Sequence, residues 1–515
     1  MSTVTQLICN KFAGIRRQNA MFNENAITAQ DMQNIELYFT GTNGGVGIRT
    51  MKGNISINNS LEGSEKIINI FESTQNEQTY FFVHTETETQ GKFYRYNQNL
   101  NVLELKKSGL SVTGVSQGFD VQQGWSDLFF FTNGEEMFTI EIGKKDDSNN
   151  LAEIKDMVLY DRDSRQVKGL GAALFANRLW IFNKNILWYS MNTDIYDFST
   201  SDAEWETSAG YIETLKNITA IHCYLDSLAI FYEDSSELLS VSSGTISRSD
   251  ESPGGCAGVN ALVFHDTDLY FYDHTKKSVF SFKQVINGEK TLGENVAIEI
   301  QEELLKIDIN KADNIQALSV FLSERNEIWW ILPTADENYS TILIYDYLKG
   351  EWVKRKSQKI NAIRVIDGVL YSAGNDGNIL EEYNSNTFNG EYIEQYYNCS
   401  PLNLGADNTL KVLVFPPRVS FDLPYSNNFY VKYIKNYNTF KKPKIKYIKS
   451  KVKNFLIWGV GLWGINYWAS KATNAVGKFP NATFKILEIC IYTTKLTENF
   501  AIKNMEFSKI KVKQV

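Results

Sequence analysis

Apolar residues recur along the chain as short runs of four to seven β-branched or aromatic side chains, each followed by a polar turn and a second such run. These side chains suit a pleated, half-buried surface, and the turns supply Asn, Asp and Gly, so the pattern predicts a series of hairpins. Tyr80–His84 is followed by Gly91–Asn97 and Val102–Leu105, and Leu128–Thr132 turns at Asn133 and Gly134 into Met137–Ile142. Arg178–Phe182 leads to Ile186–Ser190, Ser227–Tyr232 to Glu237–Val241, and Asp268–Tyr272 to Ser278–Phe282. Glu327–Leu332 precedes Ile342–Tyr347 and Glu351–Arg355, and Asp367–Ser372 turns at Asn375–Gly377 into Asn378–Tyr383.

The seven leading runs, near Phe81, Phe129, Leu179, Leu228, Leu269, Ile328 and Leu370, are spaced by 48, 50, 49, 41, 59 and 42 residues. A period of roughly 40 to 50 residues with about four strands per repeat is the mark of β-propeller blades. The expected fold is therefore all-β: a propeller of six or seven blades. After about Glu391 the texture changes, with Pro401, Pro416, Pro417 and Pro424 separating alternating apolar runs at Lys411–Phe415, Phe429–Tyr433, Phe455–Trp458 and Thr483–Tyr492. That suits an appended C-terminal β-sandwich-like domain. The expected division is an N-terminal arm or docking segment at 1–55, the propeller at 56–390 and a basic β domain at 391–515. Helix is expected only at Asn23–Tyr38, with Thr28 as N-cap, and at Val296–Ile307.

With 515 residues, 43% hydrophobic and 13% aromatic, the chain can bury a large core, which excludes disordered, collagen-like and disulfide-scaffold classes. The formal charge of −8 conceals a division. Residues 426–515 hold 17 Lys and three Glu with no Arg or Asp, a net +14, which leaves −22 on residues 1–425. Such asymmetry bears on partners rather than fold. Five scattered cysteines without a C-x-x-C spacing read as ordinary thiols. The N-terminus lacks the apolar block of a secretory signal, and the apolar stretch Phe455–Ala469, with its three glycines, is shorter than the ~20 residues of a membrane-spanning helix. It is expected as buried strand and turn, with no stable membrane insertion.

The candidate chemistry is thin. His265, Asp266, Asp268, Asp273 and His274 cluster around one strand, but alternation places neighbours on opposite faces, so no metal is expected. Asn375–Asn378 has the composition of a calcium loop without its later ligands, and a hairpin turn explains it. Gly114–Gly118 fits G-x-S-x-G around Ser116, yet the residues that follow show no helical periodicity, as a nucleophile elbow requires. The S-x-x-K pairs at Ser450–Lys453 and Ser508–Lys511 lie in lysine-rich strands, and the glycine-rich Gly41–Gly47 lacks a P-loop ending. No catalytic set and no cofactor are expected. What remains is a basic run, Lys432, Lys435, Lys441, Lys442, Lys444, Lys446, Lys449, Lys451 and Lys453, interleaved with aromatics. Three readings stay open for it: a protected edge strand, a docking surface for an acidic protein, or a sequence-blind contact with DNA phosphates.

Several phrases in order resemble the tail proteins of short-tailed bacteriophages (podoviruses), namely the nozzle or tail-tube proteins and the packaged-DNA stabilisation proteins of the portal-tail junction. They are Lys11–Asn54, Ala176–Phe198 with its RLWIF and ILWYS, Ser227–Gly258 with its Ser-Glu hairpin and Gly-Cys turn, and Leu343–Trp352 (LIYDYLKGEW). The resemblance implies a non-enzymatic virion protein: a homo-hexameric ring below the portal-adaptor that retains packaged DNA and conducts it during ejection. Implied partners are the head-tail connector proteins, tail fibre, plug or needle proteins, and transient non-specific contact with genomic DNA. Two rival readings are a tail-associated carbohydrate-binding or depolymerising protein and a cellular propeller scaffold. The propeller sialidase turn S-x-D-x-G-x-x-W is absent from the sequence, which weakens the first rival.

Overall fold

A computed structural model describes residues 3–513 apart from 10, 17–26, 41–43, 59–60, 62–64, 76–77, 125, 146–150, 203, 205–206, 243, 266, 274, 285–289, 293–294, 307–317, 333–335, 337, 403–409, 422–426, 437–442, 450–474 and 480–481. The chain divides into two compact units, one of residues 55–342 and 357–382, the other of residues 1–54, 343–356 and 383–515.

The first unit carries a propeller of seven blades, each a sheet of four strands with a short fifth strand added to one; parts of the outer strands Tyr339–Asp346, Glu351–Gln358 and Gly53–Ser56 of the last two blades are counted with the second unit. Its innermost strands are Lys66–Gln75, Gln117–Gln123, Gly171–Phe175, Ala220–Tyr224, Leu262–His265, Leu318–Leu322 and Ala362–Ile366, which follow one another around the axis and return to the first. The seven runs that set the sequence period are the second strand of each blade, such as Gln78–Glu86, Ser126–Thr132 and Arg178–Asn183.

Most of those second strands have an apolar middle because both of their faces are buried. Phe129 and Phe131 pack with Phe71, Phe82 and Phe93 of the preceding blade, while Leu128 and Phe130 pack with Leu179 and Ile181 of the next. Trp180 and Phe182 then meet Leu228 and Ile230. The last blade meets the first through Ala362, Ile379, Ile67, Phe81 and Val83. Its fourth strand, Gly53–Ser56, comes from the N-terminal side of the chain. Asn58 clamps this closure, its Nδ2 donating to the Gly377 carbonyl at 3.1 Å and its Oδ1 accepting from Ile379 N at 2.6 Å.

The second unit holds two sheets. One runs Phe12–Ile15, Ile27–Gln33, Tyr396–Cys399, Leu487–Tyr492, Asn428–Lys435, Lys444–Lys449. The other is organised on the long strand Ala501–Lys513, which pairs with Thr3–Cys9, Val46–Thr50, Leu410–Leu413 and Arg418–Phe421. Phe429 of the first sheet packs on Phe421 at 5.7 Å and on Phe500 at 5.1 Å, so the sheets enclose an aromatic core.

Two expectations are corrected. The helix expected at Asn23–Tyr38 is replaced, over its described part, by the strands Ile27–Gln33, which pairs with the distant Tyr396–Cys399, and Ile35–Phe39, which pairs with Val46–Thr50, so strand pairing overrides the local helical pattern. The arm expected at 1–55 belongs to the same compact unit as residues 383–515, and this unit also takes in 343–356 from within the expected propeller span. At Val296–Ile307 the helix is short, a 3₁₀ turn at Ile298–Ile300 running into Gln301–Leu304. Phe455–Ala469 lies outside the described residues. Among the described residues no helix is long and apolar enough to cross a membrane.

Candidate functional site

Three surfaces are built from side chains that could meet a partner or ligand. The first is the basic run. Lys444, Lys446 and Lys449 are exposed on Lys444–Lys449, the outermost strand of the six-stranded sheet among the described residues. Lys432 and Lys435 are half-buried on the neighbouring strand Asn428–Lys435. Register separates them. Lys446 and Lys444 pair with the buried Val431 and Tyr433, whereas Lys432 pairs with Ile445 and faces the other way. The run is therefore split between two faces of one sheet edge, with Lys446 Nζ donating to the Lys478 carbonyl at 2.7 Å. Lys441, Lys442, Lys451 and Lys453 lie outside the described residues.

The second surface is the outer face of the same sheet. Tyr396, Tyr492, Tyr430 and Tyr447 stand directly opposite one another on four consecutive strands. The ring centroids of Tyr430 lie 5.4 Å from Tyr492 and 4.8 Å from Tyr447. Such cross-strand aromatic pairs stabilise the sheet. Tyr396 Oη donates to Asp31 Oδ2 at 2.8 Å.

The third is the axis of the propeller, where all seven innermost strands contribute to a cavity of about 270 Å³. Its polar lining includes Asn69, Gln117, His222, Asn260, Ser319 and Arg364. Asn69 Nδ2 and Asn260 Nδ2 both donate to the Ser116 carbonyl, at 2.7 and 3.3 Å, and Asn260 in turn accepts from Ser319 N at 2.8 Å. These four residues belong to the first, second, fifth and sixth blades, so the bonds form a polar crosspiece over the axis. Burial lowers the proton affinity of the His222 imidazole, opposed by its 2.6 Å contact with the Cys223 carbonyl. The Arg364 guanidinium is exposed to the cavity, where the charges of Glu72 and Asp120 favour its protonated form. Sequence reading missed this site because its groups come from separate blades and share no local motif.

The local motifs resolve as structure. Ser116 Oγ does meet a histidine, His84 Nδ1 at 3.0 Å, and Glu86 Oε1 is 3.9 Å from His84 Nε2. Yet Ser116 and His84 are fully buried, burial pulls the imidazole down to about 3, and a strand, Gln117–Gln123, follows the serine. Glu86 is occupied in holding the turn, accepting from Thr113 N and Gly114 N at 2.9 and 3.0 Å, with Gly114 at φ +68°. The serine therefore has no approach for a substrate.

His265 stacks on Phe321 at 3.8 Å, and Asp273 accepts from Gly255 N and Lys276 N. Asp266 and His274 lie outside the described residues, and among those described no group of three or more His, Cys, Asp or Glu could hold a metal. Asp376 accepts from Asn378 within the turn between Val369–Ala373 and Ile379–Ser385. Ser450 and Lys453 are outside the described residues, and Ser508 falls within Ala501–Lys513. Trp329 and Trp330 are both in the core, at 0% and 1% exposure, so neither offers a face to a sugar.

No family model matches the chain, and no curated protein matches it. Among solved structures it is similar to the Pan2 WD40 domain of Neurospora crassa, at 9% identity over 65% of this chain and 94% of that one, with a TM-score of 0.35. A protein from Lactobacillus plantarum is similar at 9% identity over 62% of this chain and 94% of that one, with a TM-score of 0.37. The chain is an all-β protein that, by its own sheet order and closure, contains a seven-bladed propeller.

Proposed function

We propose that this chain is a non-enzymatic structural protein of a short-tailed phage tail, assembling into a ring below the portal-adaptor that retains packaged DNA and conducts it during ejection. The observation that carries the reading is the separation of charge, −22 on residues 1–425 against +14 on 426–515, with the lysines of Lys444–Lys449 exposed at a sheet edge. Opposite charges on one chain favour a head-to-tail contact between copies, and a head-to-tail contact that closes makes a ring. The resemblance to podovirus tail proteins supplies the hexameric copy number, the portal-adaptor and the fibre, plug or needle proteins as partners, and the virion as the location.

DNA would pass between the copies and not along the propeller axis. A cavity of about 270 Å³ has the volume of roughly nine waters at ~30 Å³ each. A duplex whose major groove alone is ~12 Å wide cannot enter it. An acidic lumen would let the phosphates slide without adhering, and contact with the lysine run would be sequence-blind.

Negative-stain electron microscopy of the purified chain, together with its mass in solution at low and high salt, tests the proposal. Rings at low ionic strength that come apart as salt rises are the expected result; a monomer at every concentration and ionic strength would sink it. The row Tyr396, Tyr492, Tyr430 and Tyr447 is the one feature that favours the carbohydrate-binding reading. Saturable binding on a glycan array, abolished by Tyr447→Ala, would replace the ring by that reading.

A further inference from the structure

Arg364 is the only formally charged side chain lining the axial cavity among the described residues. It projects from the innermost strand Ala362–Ile366, is open to the cavity, and has no hydrogen bond or ion pair to its guanidinium from any described residue. Two acids whose charges act on it, Glu72 and Asp120, lie on the innermost strands of the first and second blades and are engaged elsewhere. Glu72 Oε1 accepts from Asp367 N at 3.2 Å, and Asp120 accepts from Ser73 Oγ at 2.5 Å and Thr74 N at 2.8 Å. They temper the positive charge and leave the planar fork of N–H donors open.

A guanidinium presents five donors in a geometry that matches a carboxylate or phosphate with two parallel bonds. That of Arg364 is exposed to the cavity with its donors uncommitted to any described residue, and a small oxyanion would supply both opposite charge and acceptors. The cavity has room for one. Gln117 adds a second donor: its Oε1 is taken by Ala172 N at 2.7 Å, which leaves the amide N–H₂ end for a ligand. The crosspiece of Asn69, Ser116, Asn260 and Ser319 lies over the same space and would enclose what is bound.

We propose that the propeller axis is a binding site for a small oxyanion, a carboxylate or a phosphate, held by Arg364. The site is independent of ring assembly and of the basic run.

Isothermal titration of the full chain with acetate and with inorganic phosphate, in a buffer free of both, tests it and identifies which oxyanion is preferred. One-site saturable binding of at least one probe is expected. Arg364→Gln should weaken it at least about tenfold, and Arg364→Lys by less, since a lysine keeps the charge without the fork. Leu174→Trp provides a control that keeps the arginine: Leu174 lines the cavity and is 37% exposed, so the larger ring fills the space without breaking a hydrogen bond. It should also abolish binding, and it decides the matter if Arg364→Gln does not fold. No saturable binding of either probe, or binding within twofold of the parent in Leu174→Trp, would overturn the proposal.

Discussion

Asn260 Nδ2 lies 3.3 Å from the Ser116 carbonyl oxygen, joining residues 144 positions apart in sequence and three blades apart in the ring. The two stand at the start of the innermost strands Leu262–His265 and Gln117–Gln123. A propeller holds each blade mainly through its two neighbours, so a hydrogen bond over the axis adds a restraint that the blade-to-blade packing does not provide.

Removing that restraint should be measurable. Asn260→Ala loses the bond to Ser116, and the expected destabilisation is about 1 kcal/mol, the worth of a typical internal hydrogen bond. Urea unfolding of the variant should show a lower midpoint with an unchanged slope.

Closure of the ring should be more sensitive than its centre. Asn58 makes two hydrogen bonds to the last blade, and Asn58→Ala leaves the Gly377 carbonyl and the Ile379 amide without them. A loss of about 2 kcal/mol is expected, with faster hydrogen exchange at Ile379 and Leu380 than elsewhere in the propeller.

His84 makes stability fall with acid. Burial pulls its imidazole down to about 3 from the usual 6.5, so below pH ~6.5 the unfolded chain takes up a proton that the folded chain refuses. The contribution is fully present above pH 6.5 and is lost progressively as pH drops toward 3, on the order of 3 kcal/mol by pH 4. The half-buried His222, whose imidazole is also pulled down by desolvation, acts with the same sign. Unfolding measured from pH 7 to pH 4 should show a shallower decline for His84→Phe than for the parent chain; equal slopes would contradict the assignment.

Thiol chemistry reads the core directly. Cys256 is fully buried beside Gly255, where a Cβ would lie 2.1 Å from the Glu233 carbonyl oxygen, and burial pushes its thiol up to about 12. It should resist alkylation at pH 8 in the native protein and react only in denaturant.

The lysine edge separates assembly from fold. Because Lys444, Lys446 and Lys449 are exposed, replacing all three with Glu should change unfolding free energy by no more than about 1 kcal/mol. Ring formation at low salt should be lost. Rings that persist in the triple variant would make these lysines a device against edge pairing and no more.

The repeat was legible because a strand buried on both faces must be apolar at every position. Leu128–Phe131 and Leu179–Phe182 advertise themselves in a way that the innermost strands do not. Gly171–Phe175 and Ala220–Tyr224 mix small and polar residues with apolar ones, since they border the axial cavity. Of the chemistry, the basic run was visible as composition, but its split between two faces depends on the register that sets Lys446 opposite Val431 and Lys432 opposite Ile445. The contact between Ser116 and His84 looked catalytic in outline, and burial alone removes that meaning.

The sequence by itself determined an all-β chain with seven blade-like repeats and a basic C-terminal stretch, because hydrophobic period and charge are local properties that survive in one dimension. Only the tertiary structure decided that residues 1–54 join residues 383–515 in one compact unit, that Gly53–Ser56 completes the last blade, and that Arg364 is, among the described residues, the one formal charge lining the axial cavity. Each of these brings together residues from distant parts of the chain, and which distant strands pair is settled by the packing of the whole ring and of the two sheets, not by any one segment's preference.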